Sequence, residues 1–252
     1  MKVICVTGLS GGAGVTTVAA QLAAALRTQD RPVVAFDFSP DNTLRLHFGM
    51  AMSDGSGLAP QVLAKQPWNE VAYRSASGVD FVPFGQLDED GLNRFGNLLT
   101  HEPGWLSRHL DELDLPADAH LVLDCPRTPG PLRLQALAAS TLVLVVLAPD
   151  ALSFARASAN ERSMRLSGRT EARYLFNGFD ASRALDRDVV AVARSDLQKK
   201  LIPVMIHRDE HLREALASKR DIYEYAPSSQ AAEDFSSLAH WLATPMEPAL
   251  HP

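Results

Sequence analysis

The stretch Val3-Ile4-Cys5-Val6-Thr7-Gly8-Leu9-Ser10-Gly11-Gly12-Ala13-Gly14-Val15-Thr16-Thr17 decides how the rest of the chain is understood. An apolar run without alternation ends in a glycine-rich turn, and two threonines then open a helical pattern that continues to Arg27. A strand, a tight turn and a helix start in this order aim backbone N–H groups and a positive helix dipole at one point, which suits a phosphate. Such a loop ordinarily carries a lysine just before its Ser/Thr. Here Val15 stands in that place.

Outward from this loop, strand-like and helix-like runs alternate almost throughout, which predicts a doubly wound, mostly parallel sheet flanked by helices. Val33–Asp37, Leu121–Asp124 and Leu142–Leu147 are continuous apolar runs, as expected of strands covered on both faces. Tyr174–Asn177 and Ile202–Ile206 continue the strand series. Helical patterns cover Pro40–Phe48, Leu106–Leu113, Leu132–Ala139, Ala151–Leu166, Arg183–Lys199 and Ser229–Leu242. Val71–Arg74 and Val79–Pro83 form a candidate strand pair around Ser75–Gly78. With no repeat and no linker, the 252 residues predict a single domain, 1–252, with a less regular region at about 52–113.

Composition bounds the partners. A formal net charge of −6 argues against broad nucleic-acid binding, which usually shows a basic face, and leaves room for a local patch. Two cysteines, Cys5 and Cys125, lie inside apolar runs and read as reduced, buried small hydrophobes. No signal-peptide pattern and no apolar run of about 20 residues is present, so a cytoplasmic protein without a direct membrane anchor is expected.

In an open parallel sheet ligands bind beyond the carboxyl ends of the strands. Those ends carry the glycine loop, Asp37, Asp124, Pro149-Asp150, Asn177 and His207-Arg208-Asp209. Two aspartates converging on a phosphate loop would repel the phosphates unless a cation lies between them. Mg²⁺ resolves this, with Thr16 offering a hydroxyl and Asp37 and Asp124 holding coordinated waters. The N–H groups of Gly11, Gly12, Ala13, Gly14, Val15, Thr16 and Thr17 then bind the β-phosphate. Gly12-Ala13-Gly14 with Asp37 also fits a dinucleotide-binding turn, although Thr17 replaces that motif's third glycine. Asp124 has the alternative of capping a turn, and Asn177 that of a turn residue. The histidines show no metal-ligand spacing and are expected on the surface or in loops.

Ser10-Gly11-Gly12-Ala13-Gly14-Val15-Thr16-Thr17 resembles the deviant Walker A motif, K-G-G-x-G-K-T-T, of the ParA/MinD ATPases, a family of P-loop NTPases. Asp37-Phe38-Ser39-Pro40 is similar to that family's D-x-D-P switch, and Leu123-Asp124-Cys125-Pro126 to its second switch. Asn177-Gly178-Phe179-Asp180 falls where the family's adenine-reading asparagine sits. The run from Ile206 to Ala215 resembles its I-P-R-x-x-x-L-x-E-A segment, which places Arg208 and Asp209 beside the adenine. The resemblance spans nearly the whole chain and implies ATP and Mg²⁺ as cofactors, a homodimer, and Ser10 as part of the nucleotide site.

The departures are informative. The family's cross-dimer lysine falls on Ser10, its β/γ-phosphate lysine on Val15, and its water-orienting aspartate on Ser39. A loop without these lysines, followed by Asp37-x-x-Pro40-Asp41-Asn42-x-Leu44-Arg45-Leu46, is similar to a branch of accessory proteins of cellulose biosynthesis. That branch implies a factor of the cellulose secretion machinery, partnered by cytosolic subunits of the synthase complex and peripheral to the inner membrane through them. Sequence-specific nucleic acid is not among the expected partners. One lost cation costs about 1.5–3 kcal/mol of binding. One lost transition-state donor costs about 10²–10³ in rate, and an arginine finger is worth about 10³–10⁵. The expected protein therefore binds ATP as a structural or switch ligand, has an ATPase fold with impaired hydrolysis, and has no assigned catalytic residue. Arg45 is a candidate substitute cation, with a solvated helix arginine as the alternative. The competing functions are an active positioning ATPase and a nucleotide-free scaffold whose glycines serve packing.

Overall fold

The computed structural model describes residues 1–164 and 171–244. Its frame is an eight-stranded sheet: β1 (Lys2–Gly8), β2 (Val33–Asp37), β3 (Tyr73–Arg74), β4 (Asp80–Val82), β5 (His120–Asp124), β6 (Leu142–Leu147), β7 (Glu171–Phe179) and β8 (Ile206–His207). The spatial order is β3-β4-β2-β5-β1-β6-β7-β8. Every pairing is parallel except β3 with β4. The doubly wound architecture expected from the sequence is thus the one found.

The apolar strands are buried on both sides because helices cover both sides. Val3 and Cys5 of β1 pack with Val143, Val145 and Leu147 of β6 in one core. Ile4 and Val6 pack with Leu142, Leu144 and Val146 in the other. The second core is closed by α1 (Val15–Thr28), whose residues Val18 to Leu26 are all buried. Its alanines let the helix lie close to the sheet and to α10 (Gln230–Ala243) on the same side. The opposite core takes apolar side chains from α2 (Leu58–Leu63), α3 (Glu89–His101), α4 (Trp105–Asp111), α5 (Pro131–Ala139), α6 (Ala151–Met164) and α7 (Ala184–Leu197). Two short helices, α8 (His211–Ala217) and α9 (Ile222–Tyr225), precede α10.

Two expectations are corrected. The helix expected over Pro40–Phe48 is a turn followed by a 3₁₀ helix at Leu44–Phe48. Asp37 captures the N–H groups of Ser39 and Leu44, which takes residues 39–43 out of helical register. The strand expected over Ile202–Ile206 is broken in two: a single bridge joins Leu201 to Tyr174, with Ile202 N–H donating to the Tyr174 carbonyl, and the ladder resumes at Ile206–His207, because Pro203 between them cannot donate. The region near 52–113 holds mostly short elements, with one longer helix, α3, of thirteen residues. Gly91 and Gly96 weaken the helical signal, while Phe95 and Leu99 are buried on its inner face and Asp88 caps it through Gly91 N–H. The expected end of the long helix at Leu166 and the end of the carboxyl tail lie outside the described residues.

Candidate functional site

β1 lies between β5 and β6, so the loop after it emerges where connections diverge to opposite sides of the sheet. Gly12 and Gly14 both adopt left-handed backbone, at φ 79° and 84°. Gly14 is the cap of α1, so Val15, Thr16 and Thr17 form its first turn, where N–H groups have no partner within the helix. A cleft of about 300 Å³ opens above them, lined by Ser10 to Thr17, Ser39, Asp41 and Asp124 to Arg127.

Asp37 and Asp124 are register partners on β2 and β5, and both are buried. They differ in occupancy. Both oxygens of Asp37 accept backbone N–H groups, from Ser39 at 3.0 Å and Leu44 at 3.1 Å. Oδ2 of Asp124 is buried with no hydrogen-bond partner. Burial pushes the Asp124 carboxyl up to about 7, against an opposing hydrogen bond from the Thr16 hydroxyl. Burial, then the neighbouring Asp124, raises Asp37 as well, against the two N–H bonds. A buried carboxylate with an open oxygen, beside a threonine hydroxyl and free amides, matches the hard oxygen donors that Mg²⁺ takes. Asp37 in this arrangement braces the Ser39–Leu44 turn.

Of the other expected residues, Ser10 lines the cleft, whereas Asn177, Arg208 and Asp209 do not. Asn177 lies behind the loop rather than in the cleft: its Nδ2 donates to the Ala13 carbonyl at 2.8 Å. A register shift between Asn177 and Phe179, with Gly178 at φ 79°, marks the bulge that re-aims this part of β7. Arg208 is exposed and donates its backbone N–H to Phe179. Asp209 is engaged by His211 and by the N–H of Ala231 at the start of α10. Ser10 is tied to α6, its hydroxyl accepting from Arg156 at 3.1 Å.

Arg45 matches neither expectation. It is 4% exposed and its guanidinium donates to the carbonyls of Asn42, Ala51, Met52 and Asp54, so it folds the segment after the 3₁₀ helix and does not face the loop. Two histidines expected outside the core, His47 and His120, are buried. Both cysteines are free and buried, as expected. Three arginines at the loop carry no expectation from the sequence, Arg156 on Leu9 and Ser10 among them. Arg127 lines the cleft, and Arg133 donates to Thr7 Oγ1 at 2.6 Å and to the Pro126 carbonyl. Arg127 directly follows the Asp124-Cys125-Pro126 motif and could have been found there; Arg133 carries no such local signal.

The comparisons bear on family and fold. The chain is 32% identical over 251 residues to the cellulose biosynthesis protein BcsQ of Salmonella typhimurium, covering 96% of this chain and 94% of that one. Its fold is similar to the septum site-determining protein MinD complexed with Mg-ADP from Pyrococcus horikoshii OT3, at a TM-score of 0.80 and 20% identity, covering 96% and 95% of the two chains. It is also similar to cobyrinic acid a,c-diamide synthase from Mycobacterium smegmatis with bound ATP analogue and magnesium, at a TM-score of 0.77 and 21% identity, covering 96% and 94%. The family model described as cellulose biosynthesis protein BcsQ matches residues 1–243, and on that match the chain belongs to the BcsQ family of ParA/MinD-type proteins.

Proposed function

We propose that this chain is an ATP-binding accessory protein of cellulose biosynthesis and secretion, in which Mg-ATP is held as a structural or switch ligand and hydrolysed very slowly. The observation that carries the proposal is the open, buried Oδ2 of Asp124 beside Thr16, next to the first turn of α1. Thr16 and Asp124 hold the ion, Asp37 supports the adjoining turn, and the N–H groups of Gly11 to Thr17 bind phosphate. Bound magnesium would neutralise phosphate charge in a cleft that has no lysine. Asn177 orients the loop from behind, with Arg208 and Asp209 on the nucleoside side. Ser10, Val15 and Ser39 offer no charge to a transition state, so binding outlasts turnover. A nucleotide held this long favours a homodimer and a shape that docks on cytosolic subunits of the synthase complex, peripheral to the inner membrane.

Packing does not account for Gly11 and Gly12. A Cβ on Gly12 would meet nothing within 4 Å, and one on Gly11 would meet only Arg127 at 3.8 Å. An active positioning ATPase is disfavoured by the missing lysines.

The nucleotide that co-purifies with the protein tests the reading, together with Mg-ATP turnover. Retained ATP and turnover far below that of a Ser10→Lys, Val15→Lys, Ser39→Asp variant are expected. Robust hydrolysis by the natural sequence, or no nucleotide binding at all, would sink it.

A further inference from the structure

The cleft contains no lysine, yet it has one basic lining residue, Arg127. The Nε of Arg127 lies 3.8 Å from where a Cβ on Gly11 would stand. Its side chain is exposed and makes no hydrogen bond or ion pair among the described residues. Its backbone, in contrast, is fixed. Arg133 Nη1 donates to Thr7 Oγ1 at 2.6 Å and to the carbonyls of Pro126 and Arg127, both at 3.4 Å, which ties this turn to β1. Pro126 adds a locked φ just before it. A charged group free at its tip and fixed at its base, facing the loop, is placed to meet an anion.

Which part of the ligand it meets follows from the two ends of the loop. Asn177 contacts the loop at Ala13 and Gly14, whereas Arg127 faces Gly11 at the other end, beside Asp124. The nucleotide-binding reading puts the nucleoside on the Asn177 side, with Arg208 and Asp209, which leaves the Gly11 end to the phosphate tail. We infer that Arg127 is the substitute for the missing loop lysine, its guanidinium contacting the terminal phosphate of ATP and giving the site its preference for ATP over ADP. This rests on the nucleotide-binding reading above. A planar guanidinium suits this task, since its fork of donors can bind two phosphate oxygens at once.

Calorimetric titration of nucleotide-free protein with Mg-ATP and with Mg-ADP tests the inference, using the wild type, Arg127→Ala, Arg127→Gln and Arg127→Lys. Far-UV circular dichroism checks the fold, and Arg127→Gln keeps length and polarity without charge should the alanine variant fail to fold. Loss of one charge-assisted contact predicts a Kd for ATP raised about tenfold to a hundredfold in Arg127→Ala and Arg127→Gln, with ADP changed less than about threefold. Arg127→Lys, which keeps the charge, is expected to hold ATP more tightly than either. If the wild type binds Mg-ATP and the neutral variants bind it equally well, the inference is overturned and the proposed function stands. Equal weakening of ATP and ADP overturns the assignment to the terminal phosphate. A wild type that binds neither nucleotide overturns both.

Discussion

Gly14 is required twice over. Its φ of 84° is one that L side chains rarely adopt, and a Cβ there would stand 2.4 Å from Asn177 Nδ2. Gly14→Ala is expected to cost about 1–3 kcal/mol, combining left-handed strain with displacement of the asparagine. Asn177→Ala alone should cost about 0.5–1.5 kcal/mol through the lost bond to Ala13. The double variant relieves the clash but not the strain, so denaturant melts should show it more stable than the sum of the singles predicts. Simple additivity would mean that the two residues do not touch. The glycine and the two threonines were legible in the sequence, because a tight turn into a helix is a local event. The Asn177–Ala13 bond joins positions 164 residues apart, and no local pattern could disclose it. Arg45 failed for the same reason, since its partners are carbonyls of a loop whose path is set by tertiary packing.

At the level of elements, the 3₁₀ helix Leu44–Phe48 is held against α1 by a buried polar bridge. Gln21 of α1 contacts His47 Nδ1 through Nε2 at 3.2 Å and accepts the N–H of Ile222 of α9 through Oε1 at 2.8 Å. His47 is 2% exposed, and burial lowers its imidazole to about 4. The unfolded chain binds a proton at this histidine below about 6.5, and the folded protein does so only near 4. Its contribution is therefore fully present above about pH 6.5 and is lost as pH falls from there towards 4. The loss reaches on the order of 3 kcal/mol. Urea melts at pH 7.5 and 5 should show a smaller loss of stability on acidification in His47→Leu than in the wild type. An unchanged pH dependence would exclude His47 as the group responsible. The apolar spacing of Pro40–Phe48 suits a longer helix and a 3₁₀ helix alike, and only the capture of two N–H groups by Asp37 separates them.

Across the whole molecule, ligand binding and stability are linked. Saturating Mg-ATP at about a hundred times its Kd would stabilise the folded state by about 2.7 kcal/mol, which for a chain of this size raises Tm by about 5–10 °C. Asp124→Asn should abolish the magnesium-dependent part of that rise. It should leave the nucleotide-free protein no less stable, because the native carboxyl is buried with one oxygen unpaired. A magnesium effect undiminished in Asp124→Asn would remove Asp124 from the metal site. Among the described residues no helix is long and apolar enough to cross a membrane, and none of their His, Cys, Asp and Glu form a three-residue metal cluster. The proposed ion would depend on phosphate and water to complete its shell. The sequence by itself determined the doubly wound sheet, the phosphate-type loop and the absence of its lysines, because strand burial, helix periodicity and glycine backbone are all local in origin. Only the tertiary structure decided that Asp124 keeps an open oxygen while Asp37 is spent on a turn, that Asn177 stands behind the loop, and that Arg127 faces it. Those outcomes depend on which strands become neighbours, and that is settled by burial summed over the whole chain.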